Sequence, residues 1–166
     1  MTYVSPFGDM DSDHEWPDAL CLSREHCANP SDETLGEFYA GAVTLIDAGI
    51  PQPAFFLARQ LAELSLKALV GPGQNFNHDL GKLLKHLEEN GDDLFSAGEE
   101  QHLVVEFVRD LYARDPKGDQ GRYATTKGGA PSLAKVCCAN PPLFRRYVDL
   151  LFGYTQERLI RVGQAV

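Results

Sequence analysis

Apolar residues recur every three or four positions over most of the chain beyond residue 30, which is the period of an amphipathic helix rather than a strand. A first helix is predicted from Ser31 or Asp32, whose side-chain oxygens suit a first turn. Leu35, Phe38, Ala42, Leu45 and Gly49 form its apolar face, and Gly49 and Pro51 end it. After Pro51 and Pro53, the stretch AFFLARQLAELSLKALV is apolar on most sides, with Arg59, Glu63 and Lys67 spaced four apart as its polar stripe. This segment is predicted to be the central helix, and GPGQNF ends it.

Asn77 is the predicted cap of a third helix, with Asp79 in its first turn and Leu80, Leu83, Leu84 and Leu87 on one face. Gly91 stops it. Ser96 and Glu99 fit a capping box ahead of a fourth helix, whose stripe is Val104, Phe107 and Leu111. Its opposite face carries His102, Glu106 and Arg109. From Asp115 to Pro131 the period fails in a glycine-rich polar run, which predicts a long loop, and loops of this length are commonly functional or disordered. The last helix is predicted to open at Asn140, with Pro141 at its first position. The expectation is an all-α antiparallel bundle of four to five helices over residues 31–166, with no internal repeat.

Residues 1–30 show no sustained period and contain Pro6, Pro17 and Pro30, so they are predicted to be an irregular arm, with Trp16, Leu20 and Leu22 available to pin part of it. Charge sharpens this division. The formal net charge is -9, yet residues 1–34 hold eight acidic groups against Arg24 alone, which leaves the remainder near neutrality. A net charge of that sign ordinarily opposes nucleic-acid binding, whereas a neutral bundle does not.

Inside the loop region the balance reverses. Residues 113–135 carry Arg114, Lys117, Arg122, Lys127 and Lys135 against Asp115 and Asp119. Arg can hold a phosphate through two hydrogen bonds, Tyr123 can stack on a base, and glycines let backbone N–H groups approach an anion. Arg114, Lys117, Arg122, Tyr123 and Lys127 are therefore candidate RNA- or ligand-binding residues. The competing reading has Arg122 and Tyr123 folding back to staple the loop onto the bundle. The acidic arm is a candidate occupant of this basic loop.

Other chemistry is sparse. Cys21, Cys27, Cys137 and Cys138 lack zinc-ligand spacing, even with His26 added, so reduced thiols and no metal are expected. No cofactor motif appears. No apolar run approaches the roughly 18 residues of a membrane span, and the opening residues have neither a basic start nor an apolar core, so a cytoplasmic protein is expected. His78 at a helix start is favoured as a neutral imidazole, suited either to general-base work or to fixing the turn. Glu63 and Lys67 fit a solvated or interfacial pair. His86 and His102 fit surface positions.

The segments LAELSLKALV and NHDLGKLLKHL resemble the HEPN family of helical bundles, in which an apolar helix bearing a Glu and a Lys, here Glu63 and Lys67, precedes a His-Asp-Leu start, here His78-Asp79-Leu80. The Arg122-Tyr123 pair is similar to the Arg-Tyr loop of some HEPN-like proteins. The resemblance spans about Leu35 to Arg161. It implies RNA-associated work in defence, toxin-antitoxin or stress systems, and frequent homodimers. Catalytic members carry Arg followed by His after four to six residues, and no Arg here stands so before His14, His26, His78, His86 or His102. The expected function is therefore an RNA- or nucleotide-associated binding or regulatory module. The alternatives are an atypical ribonuclease or nucleotidyl-modifying enzyme, in which His78, Arg122 and Glu63 converge, and a protein-interaction adaptor using apolar surface around Phe55, Phe56 and Phe144 to Phe152.

Overall fold

A computed structural model describes residues 30–73, 76–126, 128–134, 136, 138–161 and 163. The proposed arm, with Trp16, Leu20 and Leu22, lies outside them, as do Lys127 and Lys135. The residues from Ser31 onward form one compact unit. It contains five α-helices and no strand among the described residues: α1 (Pro30–Asp47), α2 (Pro51–Val70), α3 (Leu80–Glu89), α4 (Glu99–Arg114) and α5 (Pro141–Arg161).

Local chemistry sets the helix ends. α1 closes on Gly49 at φ 68°, where Gly49 N–H donates to Ile46 O and Ile50 N–H to Leu45 O. Only a residue without Cβ takes that conformation cheaply. α2 begins at Pro51 itself, two residues earlier than Pro53 suggested, because first-turn N–H groups have no intrahelical partner and proline loses nothing there. α5 opens as expected, with Asn140 Oδ1 accepting from Leu143 N–H at 3.1 Å.

Two predicted caps are corrected. α3 is capped by Asp79, whose Oδ1 accepts from Lys82 N–H at 3.0 Å, while Asn77 sits two residues earlier at φ 50°. A carboxylate at the cap satisfies the free donor and the helix dipole together. α4 begins after Gly98 with no side-chain cap, because residues Asp93–Phe95 form a single 3-10 turn that ends at Ser96. The capping-box spacing of Ser96 and Glu99 is thus consumed by a turn capped instead by Asp92, which accepts from Leu94 N–H.

α2 is central and packs against α3, α4 and α5. Its Ala54, Ala58, Leu61, Ala62 and Leu66 are buried, and the small residues let neighbouring helices approach closely. Leu80, Leu83, Leu84 and Leu87 bury the whole face of α3. Each fully buried leucine contributes about 1.5–3 kcal/mol. Truncating Leu83 to Ala would cost about 2–5 kcal/mol through lost contacts and the cavity left behind. α5 buries Val148, Leu151, Thr155 and Leu159, and Phe152 stacks on Tyr39 of α1 with ring centroids 4.1 Å apart.

Candidate functional site

The polar stripe of α2 runs from the interior to water. Arg59 is completely buried and Glu63 is 3% exposed, while the Lys67 side chain is 40% exposed, so Glu63 and Lys67 fit the interfacial reading and Glu63 not the solvated one. The guanidinium forks in three directions: Nη1 donates to Glu63 Oε2 at 3.3 Å, Nη2 to the His78 carbonyl at 2.6 Å, and Nε to the Asp115 carbonyl at 3.2 Å. One side chain therefore ties α2 to the turn before α3 and to the start of the long loop. Only a planar group with several fixed N–H directions can do this.

Glu63 gathers three partners. Its Oε1 accepts from Lys67 Nζ at 2.7 Å and meets His78 Nδ1 at 2.8 Å. Burial pushes the Glu63 carboxyl up, but the hydrogen bonds and charges of Lys67 and His78 outweigh it and hold the group below the usual carboxylate range. An ionised carboxylate only accepts, so His78 Nδ1 carries a hydrogen toward it in either the charged or the neutral ring, and in the neutral ring Nε2 is the acceptor nitrogen. The His78 side chain is 68% exposed, so the ring is fixed at one nitrogen and open to solvent at the other. The partner that His78 lacked in sequence lies fifteen residues away on α2.

The loop after α4 passes over this network. Gly118 at φ 72° lies so close that a Cβ there would stand 3.5 Å from Arg59 Nη2 and 3.8 Å from His78 Cβ. Asp115 is buried. Its Oδ1 accepts from Asp119 N–H at 3.0 Å, and its Oδ2 has no partner among the described residues. Further along, Gly121 at φ 75° packs where a Cβ would meet Gln52 O at 3.1 Å, and Gln52 Nε2 donates to Tyr123 O at 3.0 Å. Gln120 Oε1 accepts from Leu133 N–H, and two backbone bonds cross the loop beyond it, Ser132 N–H to Ala124 O and Thr126 N–H to Ala130 O.

These contacts separate the two readings of Arg122 and Tyr123. Backbone groups, Gly121 and the two glutamines hold the loop, so neither side chain is needed as a staple. Tyr123 is 58% exposed, and the Arg122 guanidinium stands 5.5 Å from its ring centroid, within cation–π range. Among the described Lys and Arg residues, Lys117, Arg122 and Arg146 alone have no carboxylate within ion-pair distance. Arg114 differs: it is the last residue of α4 and pairs with Asp110 at 2.9 Å.

The three residues proposed to converge do so only in part. Glu63 and His78 meet. Arg122 is anchored beside Gln52, about 16 Å along α2 from Glu63 at the helical rise per residue. His86 is half-buried against Phe76, with ring centroids 5.0 Å apart, rather than a free surface residue. His102 is exposed. No group of three or more metal-ligating side chains occurs among the described residues. No helix is long and apolar enough to cross a membrane among them.

An apolar groove of about 740 Å³ lies between the α1–α2 turn, α4 and the start of α5. Phe55, Phe107, Phe144 and Tyr147 wall it, and Leu143 at its edge is 43% exposed. Of the apolar surface expected around Phe55 and Phe56, Phe55 is buried and Phe56 half-buried. Sequence reasoning missed Arg59, Asp115, Gln52 and Gln120. A signal existed for Arg59, because a helix apolar on most sides is buried on most sides, and its charges must then meet partners inside. Nothing in the local sequence marks the other three.

Comparisons with protein families, curated proteins and solved structures find no match to this chain. Among the described residues the fold is an all-helical bundle of five α-helices.

Proposed function

We propose that this chain is a HEPN-like binding or regulatory module for RNA or a nucleotide-bearing ligand, engaged through Arg122, Tyr123 and Lys117 rather than through a ribonuclease centre. The observation that carries it is the loop itself: an Arg122 without a carboxylate partner, beside an exposed aromatic ring, on a backbone pinned to α2. Exposed cations on an otherwise internally paired surface favour an anionic ligand, and the ring favours a base. The defence, toxin-antitoxin or stress setting follows from the resemblance alone. Anisotropy of a labelled RNA at fixed salt tests the module. Arg122→Ala should weaken binding about tenfold, because a charge-assisted contact to phosphate is lost. Unchanged affinity would remove the loop as the site.

The Glu63–His78 contact favours a second reading, an atypical ribonuclease or nucleotidyl-modifying enzyme in which Glu63 orients His78 as a base. His78→Asn keeps a donor near Glu63 and removes the base, so turnover should fall about 10²–10⁴-fold if this reading holds. The homodimer and protein-partner expectations attach to the apolar groove. A dimer that becomes a monomer on Leu143→Asp, read as mass in solution, would support the first of these.

A further inference from the structure

The loop site is small, and its size specifies its ligand. It offers one exposed ring, Tyr123, with the Arg122 guanidinium over it. The ring stands on backbone already fixed by Gln52 on one side and by the Ser132 N–H to Ala124 O bond on the other, so little ordering is required when a base arrives. Of the loop's other described cations, only Lys117 lacks a carboxylate partner, and Asp119 lies between it and Arg122 in the chain. Duplex binders commonly neutralise about 6–10 phosphates. The described residues of this loop offer far fewer cations than that without a carboxylate partner. A paired base inside a duplex also has both faces covered by its neighbours, so it has none to lay on Tyr123.

We infer that the ligand of this loop, taken as the nucleotide site proposed above, is one unpaired nucleotide. Its base stacks on Tyr123 and its phosphate meets Arg122. The same chemistry is presented by an unpaired residue of an RNA strand and by a free nucleotide.

The test uses the full chain and three probes: a short labelled oligoadenylate RNA, the same strand annealed to oligouridylate, and AMP as competitor. The single strand should bind about tenfold or more tighter than the duplex, the scale of one base–aromatic stack. Its log affinity should fall with log salt at a slope of about -0.7, the value for one phosphate contact on a single strand. Tyr123→Ala should lose about tenfold in affinity with that slope unchanged, whereas Arg122→Ala should reduce its steepness by about 0.7. Displacement by AMP assigns a free nucleotide as a ligand, and its absence assigns an unpaired residue of a strand; both support the inference. Duplex binding as tight as the single strand, or a slope steeper than about -4, overturns it while leaving the loop as an RNA site. Binding to neither RNA, or binding insensitive to Arg122→Ala, removes the site and the inference with it.

Discussion

Two clusters of charge lie along α2, and they are opposites. Around Arg59 and Glu63 every cation has a carboxylate or carbonyl partner, and the central groups are buried. At Arg122 the cation faces solvent without a carboxylate, and the backbone beneath it supplies the structure. In sequence both are merely charged residues near apolar ones. The difference teaches that a charge is informative about ligands only once its internal partners are known.

Several substitutions press on that contrast. Arg59→Met should have the largest effect, costing about 3–5 kcal/mol in chemical denaturation, because Glu63 and two carbonyls lose their buried donor. A loss below about 1 kcal/mol would show that the buried cluster is not structural. Glu63→Gln should cost about 1.5–3 kcal/mol near neutrality. Its acid dependence is more telling. The folded carboxyl titrates below its ordinary value of 4.5, so its contribution is complete above about pH 4.5 and is lost as pH falls through the lower folded value. The wild-type stability curve should therefore drop below about pH 4.5, and Glu63→Gln should flatten that limb.

Gly121→Ala should cost about 1–2 kcal/mol, since φ is 75° and the new Cβ would press on Gln52 O. RNA affinity should fall with it, because the platform under Tyr123 shifts. Arg122→Ala should leave stability within about 0.5 kcal/mol of wild type, as expected for an exposed residue, while lowering affinity. Comparable losses of stability at Arg122 and Arg59 would erase the contrast.

The fold was legible because periodicity and helix stops are local properties. Leu80 to Leu87 declare the buried face of α3, and Gly49, Gly91, Asn140 and Pro141 stand where the chain turns. Caps were less legible, since Asn77 and Asp79, or Ser96 and Gly98, compete within two residues and tertiary packing decides. Of the site, Arg122-Tyr123 and the Glu63–His78 pair were readable as candidates. Their separation was not, because it depends on Gly121 and Gln52 docking the loop near the start of α2. The burial of Arg59 and Glu63 was not legible because i to i+4 charge spacing looks the same on a buried face and an exposed one.

The Arg59 fork has a kinetic corollary. It joins groups separated by 19 and by 56 residues in the chain. Such contacts form only after the intervening segments have condensed, since their closure entropy must be met before they stabilise anything. The clamp therefore belongs to the native side of the folding barrier, where a stabilising contact slows unfolding more than it speeds folding. Its lasting contribution is the lifetime of the native bundle, and with it the persistence of an ordered loop between rare opening events.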